Sequence, residues 1–266
     1  MTYRRFTIGL VSTSLTLMAS SAVAQNFSIS PRATLGYQYY QFDVPGSSNL
    51  DVETDYAIGG LGLTGQINRF FVDLYGQTNI TDATFDDQIN NVDREADVDR
   101  YEINLTAGYA IIPAVTIFGG LKYAKTEIRN DFSSDDAVTN DIVANDLVDV
   151  DVDYFGPFAG AAYNLPLGSA GSLSISGSTA YLDGDLEFSA VINGLVVADD
   201  VKQKGEALGY NIGLTWVGAL GPVSSALSAL SYSVGVDYSA YTFDDDDEEQ
   251  FAEDTVRGKI DLKYRF

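Results

Sequence analysis

The strongest constraint in this sequence is a two-residue alternation of apolar and polar side chains that recurs along most of its length. The alternation is clearest in residues 99–111, 207–217 and 254–266, and in the last of these the apolar Ile260 precedes the charged Asp261. Successive side chains of a β-strand point to opposite faces, so a period of two predicts strands with one apolar face. We therefore expect an all-β protein.

Extension of this pattern along the chain predicts ten strands. They lie near residues 27–43, 52–66, 69–81, 98–112, 114–128, 148–164, 172–188, 206–218, 226–243 and 254–266. The odd-numbered connections are long and acidic, at 44–51, 82–97, 129–147, 189–205 and 244–253. The even-numbered connections are short, and most contain a proline. Short turns at one rim, long loops at the other and an even number of strands are typical of a transmembrane antiparallel up-and-down β-barrel.

Two alternatives concern the strand count and the class of β-protein. Alternation lapses near Gly59–Gly60 and Gly156–Pro157, where a β-bulge would shift the facing of the strand. Eight or twelve strands remain possible if either segment is misread. A soluble β-sandwich also alternates, but its strands average about 5–6 residues. The second face of this chain carries small neutral residues with isolated charges, which favours the narrow lumen of a barrel.

The N-terminus has the pattern of an export signal. Arg4 and Arg5 precede an apolar stretch from Phe6 to Met18, and Ala22–Val23–Ala24 matches a small-residue cleavage site. The sequence therefore predicts a signal peptide over residues 1–24 and a barrel domain over 25–266, with an ordinary buried N-terminal helix as the alternative. We find no later run of about 18 apolar residues that would predict a membrane helix.

The composition excludes several classes of function. The 266 residues include no cysteine and no histidine, and the formal net charge is −23. Cysteine-bound zinc, a histidine-ligated metal and a Ser-His-Asp mechanism are therefore excluded, and no cofactor is implied. Small barrels with protease, lipase or acyltransferase activity resemble this chain in size, but those depend on a histidine at the rim. We expect no enzyme activity and, because the chain is acidic, no binding to nucleic acid.

The predicted lumen is the candidate functional site. The charged side chains on its face are Arg32, Asp73, Arg100, Glu102, Lys122, Asp237, Arg257, Lys259, Asp261, Lys263 and Arg265. Closure of the barrel is expected to pair Arg32 with Asp261, and the last hairpin to pair Asp237 with Arg257. These side chains would either set the selectivity of a channel or plug the lumen, and physical arguments alone leave both open.

Nearly all other acidic residues fall in the long connections or on the strand ends beside them. The densest runs are Asp244, Asp245, Asp246 and Asp247, and the alternating Asp149, Asp151 and Asp153. Carboxylate clusters can hold Ca²⁺ or Mg²⁺, so the first run is a weak candidate for a divalent-cation site. Neither run matches a known calcium loop, and a solvated, repulsive loop is the favoured explanation of both.

Topology and the C-terminus predict location and partners. With the N-terminus in the periplasm, the first strand runs outward, both termini are periplasmic and the acidic loops lie outside the outer membrane of a Gram-negative bacterium. We expect the barrel to contact membrane lipid and lipopolysaccharide. Phe266 ends an aromatic-rich alternating strand, as in the last strand of many outer-membrane barrels. That resemblance implies recognition by the barrel-assembly machinery.

The middle of the chain, residues 117–188, resembles a known family. The segments that carry the resemblance are Gly119–Lys125, Phe155–Pro157 with Gly160, Leu167–Gly168, and Gly171–Ser174 with Gly177. They occur in the order found in the pore-forming major outer membrane protein family of the Legionella type. The resemblance implies a porin-like passive channel for small solutes. The alternative is a closed structural or adhesin-like surface barrel without transport activity.

Overall fold

A computed structural model of the protein describes residues 27–43, 51–89, 92–133, 146–192, 195–220, 227–245 and 250–266. The strands in this part of the chain are β1 (Phe27–Asp43), β2 (Val52–Ile67), β3 (Phe70–Asn79), β4 (Thr84–Ile89), β5 (Val92–Ile112), β6 (Val115–Ser133), β7 (Asp146–Pro166), β8 (Ser172–Ile192), β9 (Leu195–Ala219), β10 (Leu230–Asp245) and β11 (Gln250–Tyr264). A short 3-10 turn, Gly168–Ala170, connects β7 and β8. The predicted signal peptide, residues 1–24, lies outside them.

The strands close into one antiparallel barrel. Neighbours in sequence pair with one another, except that β3 and β4 both pair with β5, and β1 pairs with β11. β3 and β4 follow one another along the same edge of β5, so together they occupy one position in the wall. The barrel therefore has ten strand positions, and the predicted transmembrane-type antiparallel up-and-down β-barrel with ten strands is confirmed as a fold.

Several segments predicted as loops are strands. Most of 82–97 forms β4 and the start of β5, and most of 189–205 forms the ends of β8 and β9. Residues 129–133 continue β6 in the same way. Acidic residues do not exclude a strand here, because side chains on the outward face of a strand remain in contact with water.

The two predicted bulges are also absent from the described strands. β2 pairs with β1 in unbroken register through Gly59 and Gly60, and β7 keeps one register with β8 on both sides of Gly156–Pro157. A Cβ at Gly156 would clash with the backbone oxygen of Tyr181. Glycine therefore allows a close approach of two strands there and does not shift the facing. The register shifts occur between Ala110 and Ile112 and between Phe188 and Val191.

One half of the barrel carries an apolar belt on its outer surface, and we call it the belt half. It contains the first and last described residues and the short turns. Its exposed outward side chains include Leu35, Leu61, Leu63, Leu74, Ile103, Leu105, Ile117, Ile175, Ile212, Leu214, Val236 and Ile260. The inward side chains between them are polar, charged or small. No helix in the described ranges is long and apolar enough to cross a membrane.

The other half, formed by the far ends of the long hairpins, is the hairpin half. The two-residue alternation continues there, but the apolar face changes sides. In β7, Val150, Val152 and Tyr154 point inward and are buried, while Asp149 and Asp153 point outward. The hydrophobic core of the molecule therefore lies inside the hairpin half.

Candidate functional site

The interior of the barrel consists of three levels along its axis. Inside the hairpin half lies a set of buried apolar and aromatic side chains, which we call the apolar plug. Its members are Tyr40, Phe42, Val52, Tyr56, Ile58, Val98, Ile128, Val150, Val152, Tyr154, Leu182, Leu186, Tyr241, Phe243 and Phe251. Beneath it lies a layer of ion pairs, and beneath that a polar cavity inside the belt half.

The apolar plug crosses the lumen through contacts between aromatic rings. The ring of Phe42 on β1 stacks on Phe251, with centroids 6.2 Å apart, and Phe251 meets Phe243 edge-on at 6.0 Å. Phe243 meets Tyr154 at 6.3 Å, which joins β10 to β7 on another side of the barrel. Every member of the plug is at most 9% exposed. Burial of each large side chain of this kind stabilises the fold by about 1.5–3 kcal/mol.

The ion-pair layer consists of four cations, Arg100, Lys122, Arg257 and Lys259, and three carboxylates, Glu102, Asp237 and Glu253. Glu102 is its centre, because its carboxylate is 3.0 Å from Nη2 of Arg100, 2.9 Å from Nη1 of Arg257 and 3.5 Å from Nζ of Lys122. The side chain of Glu102 is only 2% exposed. Breaking such a buried set of charges is costly, since the remaining partners lose their compensation.

Two further carboxylates complete this layer. Asp237 accepts from Nε of Arg257 at 2.9 Å, which is the pair predicted from the last hairpin, and it also lies 2.8 Å from Nζ of Lys259. Glu253 lies 2.7 Å from Nη2 of Arg100 and accepts from Nη1 at 2.8 Å. The layer thus joins β5, β6, β10 and β11 across the interior.

The predicted pair between Arg32 and Asp261 does not form. Arg32 lies opposite Lys263 in the β1–β11 ladder, two residues from the expected register. Arg32 instead pairs with Asp73 on β3, with Nη2 and Oδ2 3.0 Å apart. Asp261 accepts hydrogen bonds from the hydroxyls of Thr34 and Ser233.

The structure places ten of the eleven sequence-predicted candidates on the inner face. Arg265 is the exception, because β11 ends at Tyr264 and Arg265 is exposed at the rim of the belt half. Glu253 was assigned by sequence to the connection 244–253, yet it is an inward residue of β11 and is 1% exposed. The inner face therefore carries fewer cations and more carboxylates than the eleven predicted residues implied.

A cavity of about 240 Å³ lies beneath the ion-pair layer, and we call it the polar cavity. The charged side chains in its wall include Arg32, Asp73, Lys122, Asp237 and Lys259. Neutral hydrogen-bonding groups complete the wall, among them Asn104, Ser176, Ser178 and Asn211. The cavity can hold water and a polar solute.

The outward face of the hairpin half is charged and mostly acidic. Lys125 lies 2.9 Å from Glu127 and 3.3 Å from Asp151, and Arg129 lies 3.0 Å from Glu127. The hydrogen bond from Lys125 lowers the pKa of Glu127, while partial burial raises the pKa of Asp151. On β1, a hydrogen bond with Glu53 raises the pKa of Tyr39 to about 12. This face is thus a hydrated surface in which the few cations are paired.

The candidate divalent-cation run lies at the end of β10. Asp244 and Asp245 are the last residues of that strand, and Asp246 and Asp247 lie outside the described residues. Among the described residues, no group of three or more carboxylates is arranged to hold a metal ion. The divalent-cation site therefore stays a prediction.

The apolar plug is the main feature that sequence reasoning missed. Its signal was present in the alternation itself, because Tyr40 and Phe42 share the inward face of β1 with Arg32. In β7, the aspartates noted at 149, 151 and 153 alternate with residues of the plug. A change of the apolar face within one strand would have identified the apolar plug.

Comparison with known proteins supports the fold. No family model matches this chain, and no curated protein matches it, so the resemblance to the Legionella-type family gains no support. Among solved structures, the outer membrane protease OmpT from Escherichia coli matches with a TM-score of 0.60 and 10% identity, over 91% of this chain and 97% of that chain. The translocator domain of the autotransporter NalP from Neisseria meningitidis matches with a TM-score of 0.51 and 13% identity, over 92% of this chain and 90% of that chain. The chain thus shares the barrel fold of outer-membrane proteins.

Proposed function

We propose that the protein is a closed outer-membrane β-barrel of a Gram-negative bacterium that acts through the surface it presents outside the cell. In this proposal the belt half spans the membrane, both termini are periplasmic and the hairpin half projects from the cell surface. The outward apolar belt supports this placement, since lipid-facing apolar side chains are the mark of a membrane barrel. The protein contributes a rigid, acidic, structural or adhesin-like surface and does not transport solutes.

The observation that carries the proposal is the apolar plug. A passive pore needs a continuous polar path through the barrel, and the rings of Phe42, Phe251, Phe243 and Tyr154 lie across that path. A barrel of about this size is narrow enough for side chains to fill it. The interior therefore favours the closed barrel over the porin-like channel that the family resemblance implied.

The proposed partners follow from the two outer surfaces. The belt contacts membrane lipid and lipopolysaccharide, and the C-terminal strand ending at Phe266 engages the assembly machinery. Carboxylates outnumber cations on the outward face of the hairpin half, so a cationic ligand or a divalent-cation bridge suits that surface. No catalytic role is proposed, because the sequence contains no histidine or cysteine to serve as base or nucleophile.

Single-channel recording in a planar bilayer tests the closed lumen. The mature chain, refolded and shown to be folded by heat-modifiable gel mobility, is expected to give no steady openings. The double variant Tyr154→Ala/Phe243→Ala removes two crossing rings, and openings in this variant alone would attribute the silence to the plug. Steady openings in the unaltered protein that change when Lys259 and Lys263 are replaced by glutamate would instead establish a pore and overturn the proposal.

A further inference from the structure

The interior beneath the apolar plug holds an excess of positive charge. Its inward cations in the described residues are Arg32, Arg100, Lys122, Arg257, Lys259 and Lys263, and its carboxylates are Asp73, Glu102, Asp237, Glu253 and Asp261. Six cations thus face five carboxylates. An uncompensated charge inside a protein is unfavourable, so a counter-ion or bound water is required near the excess cation.

Hydrogen-bond donors are also in excess around the polar cavity. The ammonium of Lys259 has three donors and one carboxylate partner, Asp237 at 2.8 Å. The ammonium of Lys122 donates to the hydroxyl of Tyr241 at 2.8 Å and lies 3.5 Å from Glu102. Glu102 is shared among three cations and Asp237 between two, so these carboxylates do not take up all the donors of the cavity wall.

We propose that the polar cavity binds a small oxyanion between Lys259, Lys122 and Arg32. Nζ of Lys259 and Nζ of Lys122 supply charge-assisted hydrogen bonds to its oxygens. Amide and hydroxyl groups such as those of Asn104 and Ser178 contact the remaining oxygens. The anion site depends only on the polar cavity. The route of the anion is a separate matter: if the lumen is closed as proposed above, the anion enters only from the periplasmic end.

The size of the polar cavity suits this ligand. A single water needs about 10–15 Å³ of volume measured in this way. A cavity of about 240 Å³ therefore has room for an anion of the size of phosphate together with several waters. An apolar ligand is disfavoured, because it would leave the donors of the wall without acceptors.

Titration with inorganic phosphate tests the proposal. The mature chain, folded in detergent micelles, is titrated by calorimetry and by phosphorus NMR line broadening in a buffer without other multivalent anions. We expect saturable binding of one phosphate, with competition by sulfate and none by a quaternary ammonium ion. A linear response without saturation would show only adventitious contact and would overturn the proposal.

Matched variants locate the anion. Lys259→Met should weaken phosphate binding about tenfold, because one charge-assisted contact is lost. Lys259→Arg should retain most of the affinity. Asp73→Asn should tighten binding, since it removes a negative charge beside Arg32. Lys125→Met, on the outward face, should leave the affinity for phosphate unchanged. Equal losses in Lys259→Met and Lys125→Met, with both variants folded by gel mobility, would refute the site.

The bilayer recording separates the two proposals. Phosphate binding through Lys259 in a barrel that conducts would refute the closed lumen and leave the anion site intact. A silent barrel without saturable phosphate binding would refute the anion site and leave the closed lumen intact.

Discussion

The belt half and the hairpin half use the same strands and the same alternation, yet their apolar faces point in opposite directions. In the belt half the apolar side chains are outside and the polar ones inside, as with Ile260 and Asp261 of β11. In the hairpin half the apolar side chains are inside, as with Tyr154 of β7. An alternating pattern therefore fixes which residues share a face, while the surrounding solvent decides which face must be apolar.

This contrast explains how one barrel can satisfy two environments. In the proposed membrane placement, lipid around the belt removes any benefit of an apolar interior there, so the belt half can hold charges and water inside. Water around the hairpin half restores the usual hydrophobic effect, so that half folds like a soluble protein with a dry core. The ion-pair layer lies at the boundary between the belt half and the hairpin half.

The largest expected effect comes from placing one carboxylate on the same face of β8 in each half. Leu182→Asp places an unpaired carboxylate within the apolar plug. It should lower the free energy of unfolding by about 5 kcal/mol or more, because a buried charge without a partner is strongly unfavourable. Ser178→Asp points into the polar cavity and should cost less than about 1 kcal/mol, since water and cations surround it. Urea unfolding of the refolded barrels measures both, and equal losses would contradict the contrast between the halves.

The next effect concerns the junction of the halves. Glu102→Gln keeps the shape of the side chain but removes the charge that compensates Arg100, Lys122 and Arg257, and it should cost about 3–5 kcal/mol. Asp55→Asn, on the outward face of β2, makes the same chemical change in an exposed position. We expect the free energy of unfolding of the Asp55→Asn variant to lie within about 0.5 kcal/mol of that of the unaltered protein. If Glu102→Gln lowered the urea midpoint as little as Asp55→Asn does, the ion-pair layer would be hydrated and the prediction would be wrong.

Much of the fold could be predicted from sequence, because alternation and turn lengths are local signals. The inward facing of Glu102 and of Asp237 followed from parity alone. The register between β1 and β11 could not be predicted, since a slip of two residues preserves every facing and changes only the partners, as happened for Arg32. The apolar plug was missed although nearly all of its residues, such as Phe243, lie in predicted strands, because the apolar face changes sides within a strand and the prediction kept one apolar face along each strand.

A smaller effect compares one methylene in the two apolar environments. Ile128→Val trims a side chain of the apolar plug that is 2% exposed, and it should cost about 0.5–1.5 kcal/mol because a small cavity remains. Ile260→Val trims a side chain of the belt that is 58% exposed toward the surroundings of the barrel. Lipid can fill the space there, so the expected change is smaller. Equal costs would mean that the plug is no better packed than the belt.

The smallest effect lies on the outward face of the hairpin half and depends on pH. Lys125 lowers the pKa of Glu127, so the pair stabilises the folded state above the ordinary glutamate pKa of about 4.3. That contribution disappears as the pH falls through the lowered pKa of Glu127. Lys125→Met should therefore cost up to about 1 kcal/mol at neutral pH, because water screens the pair, and almost nothing in strong acid.

Lys204→Met is the matched control for this pH dependence. The Lys204 side chain is 83% exposed and its ammonium lies 3.6 Å from Asp185, so its removal should leave the urea midpoint unchanged at either pH. A cost for Lys125→Met that persists unchanged in acid would assign the effect to packing of its alkyl chain. The ion pairs of the outward face would then make no measurable contribution to the stability of the hairpin half.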